Sequence, residues 1–201
     1  ECSIVVVYFG GIMSVGMVFI MRYLVVSDTH MYNDIFENIT KHFYEQVDIM
    51  IHCGDSSLPC HDPLLKGYHV VRGNHDTLEF PDKIILGNVL ITHGHLFHVY
   101  HGYQELLDFC HQHHIKYCFH GHTHVPTYQI IEGIHFINPG STMMNRGSYG
   151  FGTFALASIE DDKIDVHFYH HTTFEEVDQV VLEEGLATLE EFKQLIHKYN
   201  K

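Results

Sequence analysis

The chain is short of positive charge. Across 201 residues, 11 Lys and Arg stand against 25 Asp and Glu, a formal net charge of −14. An acidic surface repels nucleic-acid backbones, which argues against stable nucleic-acid binding through a broad basic patch. Cysteine is equally uninformative as a scaffold. Cys2, Cys53, Cys60, Cys110 and Cys118 are odd in number, irregular in spacing and free of any CxxC pair. A disulfide framework and a thiolate zinc site are both disfavoured, and a reducing, cytoplasmic compartment is favoured, with the thiols as buried fillers. No internal repeat, low-complexity tract or interior linker interrupts the chain. Its length and 45% hydrophobic content suit one domain with a real core.

What the chain has in excess is histidine, at 21 copies, and position must decide which of them matter. Much of the acidic charge falls late, from Glu160 to Glu191, and reads as a solvated C-terminal surface.

The N-terminus needs its own reading. Ser3 to Ile20 is almost wholly apolar, and no charge follows until Arg22. That length approaches a membrane span, yet no basic segment precedes it, and Gly10, Gly11, Ser14 and Gly16 weaken it as a packed helix. Residues 1–20 are read as an extension outside the fold and residues 21–201 as a single domain with a C-terminal helical segment. A membrane anchor in residues 1–20 is the rival reading, and a core strand the third.

Periodicity gives the elements. Residues 22–27 predict a buried strand, followed by a helix capped by Asn33 or Asp34 with Ile35, Phe36, Ile39 and Phe43 on one face. Strands are expected over 47–53 and 68–72, and a hairpin over 83–92 around Gly87-Asn88. A second helix carries Tyr103, Leu106, Leu107, Cys110 and His114, and a strand follows over 115–120. Two more hairpins are expected over 128–137 and 152–169. Thr188 and Glu191 have the spacing of a capping box, which would open a last helix there.

Polar motifs recur where apolar strands stop, the usual place for ligand sites in α/β sheets. They are Asp28-x-His30, Gly54-Asp55, Gly73-Asn74-His75-Asp76, His93-Gly94-His95 and Gly121-His122-x-His124. Carboxylate, amide and imidazole without thiolate suit borderline divalent ions. Seven candidate ligands exceed the needs of one tetrahedral zinc and suit two ions bridged by a carboxylate. In extended chain, residues i and i+2 share a face, so Asp-x-His and His-x-His can each aim both side chains at one cluster. An adjacent Gly lets the backbone turn sharply enough for a short side chain to reach an ion.

In this order, the motifs resemble the signature of the calcineurin-like metallophosphoesterases over roughly residues 21–170. Spacing, small size and the turn Asn138-Pro139-Gly140-Ser141 resemble the small prokaryotic phosphodiesterase branch, related to the smallest subunit of the retromer coat. The resemblance implies a four-layer α/β/β/α sandwich with the site on one edge. One metal would take Asp28, His30, Asp55 and His124, and the other Asp55, Asn74, His93 and His122, with Asp55 bridging. His75 would protonate the leaving oxygen or stabilise its charge, and Asp76 would orient His75. A metal-bridging hydroxide would attack a small phosphodiester in line with the leaving group. Manganese is the first choice of ion, with Ni, Fe, Co or Zn as alternatives.

Other readings stay open. A retromer-subunit-like scaffold uses this fold without catalysis, and the complete ligand set in this chain argues against it. A phosphomonoesterase or protein phosphatase would use the same site on another substrate. Arg72 and Arg146 are candidates to meet substrate phosphate, and His95 to line the pocket mouth, each against an ordinary surface role. Ser27, Thr29, His52 and His120 read as supporting groups behind the ligands, and His111, His113 and His114 as a solvated face. Membrane association depends on residues 1–20, and homo-oligomerisation is left open.

Overall fold

The computed structural model describes residues 2–9, 12–147 and 149–199, with the side chains of residues 1–18, 196, 197 and 199 outside the described set. Element order is β1 (Cys2–Phe9), β2 (Ile12–Val26), α1 (Asn33–Phe43), β3 (Ile49–His52), β4 (Tyr68–Val70), β5 (Lys83–Leu86), β6 (Val89–Thr92), α2 (Gln104–Gln112), β7 (Tyr117–Phe119), β8 (Thr127–Ile131), β9 (Ile134–Asn138), β10 (Thr153–Glu160), β11 (Lys163–His170) and α3 (Asp178–Tyr199).

Two mixed sheets result. One runs β11-β10-β2-β3-β4 with β1 paired to β2, and the other runs β5-β6-β7-β9-β8. Period-two alternation sends successive side chains to opposite faces, and here both faces are buried. Tyr23, Val25 and Ile51 from the first sheet meet Ile91, Tyr117, Phe119 and Ile137 from the second, forming the core between the sheets. Leu24, Val26 and Met50 face the other way, onto Phe36, Ile39 and Phe43 of α1. Leu90, Cys118 and Phe136 face outward from the second sheet onto Leu106, Leu107 and Cys110 of α2. The layers are therefore α1, sheet, sheet, α2, the expected four-layer sandwich.

Strand β2 runs through the expected boundary at Met21. Its pairing with β10 spans Ile20–Val25 and with β3 Tyr23–Val26. Residues Ile12–Phe19 of β2 pair antiparallel with β1. The side chains on which an anchor reading would turn lie outside the described residues. Among the described residues, no helix is long and apolar enough to cross a membrane.

Two capping expectations are corrected. The N-cap of α1 is Tyr32, with Asn33 and Asp34 already inside the first turn and no side-chain cap bond. The last helix starts at Asp178, so Thr188 lies within it. Asp178 fixes that start through tertiary bonds that local spacing cannot show: Phe168 N–H donates to Oδ1 at 2.6 Å, and the His167 ring pairs with Oδ2 at 2.9 Å. Helix α2 ends at Gln112, and His114 stands beyond it in left-handed backbone (φ 56°). Cys53, Cys110 and Cys118 are buried free thiols as expected, whereas Cys60 is exposed.

Candidate metal centre

Strands β2, β3 and β4 run parallel, as do β6 and β7. The loops that leave their C-terminal ends carry all five motifs to one edge of the sandwich. Asp28 and His30 follow β2, Asp55 follows β3, Asn74 and His75 follow β4, His93 follows β6, and His122 and His124 follow β7. To turn inward so soon after a strand, five of these residues adopt left-handed backbone: Asp28 (φ 53°), His30 (45°), Asp55 (56°), His122 (71°) and His124 (57°). Left-handed non-glycine backbone costs on the order of 1–2 kcal/mol per residue, and Asp and His tolerate it better than most. Such strain persists only where the surroundings over-determine it, and it clusters at functional sites.

Two overlapping groups with the spacing to hold a metal ion form among the described residues. Asp28, His30 and His124 place ligand atoms within 4.8 Å of one another, and so do Asp28, Asp55 and His93. Asp28 Oδ1 lies 3.1 Å from His124 Nε2 and 4.0 Å from both His30 Nε2 and His93 Nε2. Asp28 is fully buried, yet Oδ1 has no hydrogen-bond partner. His30 Nε2 and His124 Nε2 are 3.4 Å apart. His93 Nδ1–H donates to the Cys53 carbonyl at 2.7 Å, which turns Nε2 towards Asn74 Oδ1 (3.2 Å) and Asp55 Oδ2 (3.5 Å). Buried polar atoms are ordinarily paired, so an orphan carboxylate oxygen facing imidazole nitrogens fits a cation. The donor set of carboxylate, amide and imidazole fits a divalent one.

The electrostatics agree. Burial alone would push Asp28 up, but His93, His124 and Ser27 together hold its carboxyl well below the usual range. Burial would push His93 down, but Asp28 and Asp55 raise it above the ordinary imidazole value. Two carboxylates thus face His93, and that concentration of negative charge favours a cation between them. Burial, reinforced by His93, pushes His122 down to about 3, leaving its ring neutral and available as a ligand.

Asn74, His75 and His122 line a cavity of about 350 Å³ together with His30, Asp55, His124, Tyr100, Arg146 and Phe192. His75 lies outside both ligand groups, with its ring 5.6 Å from that of His30. Asp76 has a different job from the one expected. Its Oδ2 accepts from Asp55 N (2.6 Å) and Gly73 N (2.8 Å), and its Oδ1 from Ser57 N (2.8 Å) and Ser56 Oγ (3.2 Å). Both oxygens are spent holding the Asp55 loop rather than orienting the His75 ring.

Behind the ligands lies a buried polar frame. Ser27 Oγ donates to Asp28 Oδ2 at 2.6 Å, and His52 bridges Thr29 Oγ1 and Gly54 N. The Asn138-Pro139-Gly140-Ser141 turn ties two ligand loops together: Asn138 Nδ2 donates to the Gly121 carbonyl and Thr123 Oγ1, and Ser141 Oγ to the Asp28 carbonyl, each at 2.9 Å. Arg72 is engaged by Asp82 through Nε at 2.7 Å. His95 is half-buried with its ring 5.3 Å from His93, while His111, His113 and His114 are exposed. Tyr100 and Phe192 carried no motif and were invisible until the fold brought them to the cavity.

Residues 21–162 match the calcineurin-like phosphoesterase superfamily domain. The chain belongs to this family. It is 35% identical over 162 residues to the probable metallophosphoesterase YsnB of Bacillus subtilis, covering 74% of this chain and 90% of that protein. It superimposes on a predicted phosphoesterase from Streptococcus pneumoniae with a TM-score of 0.71 at 32% identity, covering 76% of this chain and 91% of the other. Vacuolar protein sorting 29 from Cryptosporidium parvum shares the fold at a TM-score of 0.63 and 16% identity, covering 79% and 95% of the two chains. The metallophosphoesterase assignment thus rests on sequence and on fold, and the metal-ligand geometry is consistent with both.

Proposed function

We propose that this metallophosphoesterase is a phosphodiesterase for small phosphodiesters that works with two divalent ions, manganese first among them. The observation that carries the reading is the pair of overlapping candidate ligand groups, which bring Asp28, Asp55 and three imidazoles together around a buried Asp28 Oδ1 that has no hydrogen-bond partner. Asp28, His30, Asp55 and His124 would hold one ion, and Asp55, Asn74, His93 and His122 the other. Asp55 Oδ1 accepts the His75 N–H at 2.7 Å, which anchors the carboxylate that would serve both ions. When bound, two such ions supply Lewis acidity, offsetting charge on phosphoryl oxygens and lowering the pKa of water.

The chain's own residues do the rest. The strained loops fix the ligands in advance, so little reorganisation is needed when substrate arrives. His75 lines the cavity without entering either ligand group, so its imidazole is free to deliver a proton to the departing ester oxygen. Neither Ser nor Cys is required as a nucleophile, since Ser27 is committed to Asp28 and Cys53 is buried.

The test is hydrolysis of bis-p-nitrophenyl phosphate by chelator-stripped protein after Mn²⁺, Ni²⁺, Co²⁺, Zn²⁺ or Mg²⁺ is restored, with p-nitrophenyl phosphate as the monoester comparison. Metal-dependent diester cleavage that Asp55→Asn abolishes supports the reading. Cleavage of the monoester alone would move the specificity to phosphomonoesters, and no turnover with any ion would remove the enzyme.

A further inference from the structure

We propose that Arg146, clamped between Tyr100 and Phe192, is a substrate-binding residue that grips the phosphoryl oxygens of the bound ester, and that α3 is thereby part of the substrate pocket. The inference rests on the phosphoesterase reading of the site.

Three observations converge on Arg146. First, its guanidinium carbon lies 5.4 Å from the centre of the Tyr100 ring and 5.5 Å from that of Phe192. Cation–π stacking on two rings removes much of the rotamer freedom of a long side chain, so less entropy is lost when the fork meets an anion. Second, Arg146 N–H donates to the carbonyl of His124 at 2.8 Å, which ties its backbone to the loop of a metal ligand. Third, Arg146 lines the same cavity as His30, Asp55, His122 and His124. Among the described residues, no carboxylate pairs with it, in contrast to Arg72, which Asp82 engages. An exposed, stacked guanidinium with no carboxylate partner among the described residues, beside the candidate ligand cluster, has the geometry and charge for bidentate recognition of phosphate.

Both rings are held from behind. Tyr100 donates its hydroxyl to the His122 carbonyl at 3.0 Å and packs edge-on against the His122 ring. Phe192 comes from α3, which packs on the short turn carrying Tyr100. Helix α3 lies beyond the 21–162 segment that the family match covers. Its contribution to the pocket is thus an addition to the metal centre, and Phe192 acts through Arg146 as a positioning residue.

The experiment uses the full chain loaded with Mn²⁺. Binding of inorganic phosphate is followed by calorimetry, and bis-p-nitrophenyl phosphate kinetics are run in parallel, for wild type, Arg146→Ala, Arg146→Lys and Phe192→Ala. Losing charge-assisted hydrogen bonds should weaken phosphate binding and raise KM on the order of 10- to 100-fold, with bound metal unchanged. Arg146→Lys should recover part of the loss, and Phe192→Ala should fall between wild type and Arg146→Ala, with KM moving more than kcat. Phosphate binding by Arg146→Ala as tight as wild type would overturn the proposal, as would no phosphate binding by metal-loaded wild type. If wild type binds phosphate through Arg146 but hydrolyses nothing, the anion site stands and the hydrolase reading fails.

Discussion

Gly73→Ala should damage the proposed metal centre without replacing any of its ligands. The backbone φ of Gly73 lies outside the left-handed region, so alanine is conformationally allowed and the cost comes from contact alone. A Cβ there would lie 2.6 Å from Asp55 Cγ and would overlap Asp55 Oδ1 and the Asp55 backbone nitrogen. Carbon atoms prefer roughly 3.5–4.0 Å, so Asp55 must retreat on the order of 1 Å. Its backbone nitrogen is bonded to Asp76 and its Oδ1 to His75 N, so the retreat drags the whole loop. Overpacking of this kind costs about 1–3 kcal/mol of stability. A displacement near 1 Å at a reacting centre costs about 100-fold in rate. The assay is metal content after reloading with Mn²⁺, diester turnover and thermal unfolding on one preparation. Gly133→Ala is the control: its φ of +81° imposes strain, but nothing lies within 4 Å of the added carbon. The control should lose stability of about 1 kcal/mol and keep its activity. If Gly73→Ala binds metal and turns over within about twofold of wild type, the close packing of Gly73 under Asp55 has no functional weight.

Three further outcomes follow from the same geometry. His75→Ala should slow an ester with a poor alkyl leaving group on the order of 100-fold or more, and p-nitrophenyl esters far less, because the better leaving group needs no proton; equal losses on both would contradict the proton-donor role. Asp76→Ala strips the partners from Asp55 N, Gly73 N and Ser57 N, so unfolding free energy should drop by roughly 3 kcal/mol or more and metal affinity should fall with it; a fall in kcat alone would restore the His75-orienting role. Burial pushes His52 and His120 down to about 4, so the folded protein keeps them neutral where the unfolded chain binds protons. Their contribution is therefore intact above the ordinary imidazole value and is lost as pH falls towards 4, by about 2 kcal/mol each between pH 7 and 5. Urea unfolding of metal-free protein at the two pH values checks this, and His120→Gln should remove its share of the slope.

The gathering of the candidate ligands at one edge was legible because each sits in a motif whose constraint is local. Asp28-x-His30 and His122-x-His124 follow buried strands, and the glycines beside Asp55, Asn74 and His122 mark where the backbone must turn or lie close. The strands were legible from apolar runs between turn signals and α1 and α2 from their stripes, while the two-sheet layering came from the family resemblance. What stayed hidden depends on contacts between segments far apart in sequence. The start of α3 is set by Asp178 bonding to β11, so the Thr188 spacing pointed to the wrong place. Asp76 is next to His75 in sequence, yet its carboxylate serves a loop about twenty residues earlier. Tyr100 and Phe192 look like ordinary apolar positions until α3 packs beside the ligand loops. Arg146 was visible as a candidate, but the clamp that makes it useful comes from two other elements.

The most direct test of the central claim is to titrate chelator-stripped protein with Mn²⁺, counting bound ions per chain while diester hydrolysis is measured on the same samples. The account predicts that activity reaches its plateau only when two ions are bound per chain, and that Asp28→Asn lowers the stoichiometry together with turnover. A plateau at one ion per chain, or full activity in Asp28→Asn, would contradict a dinuclear centre in which Asp28 is a ligand.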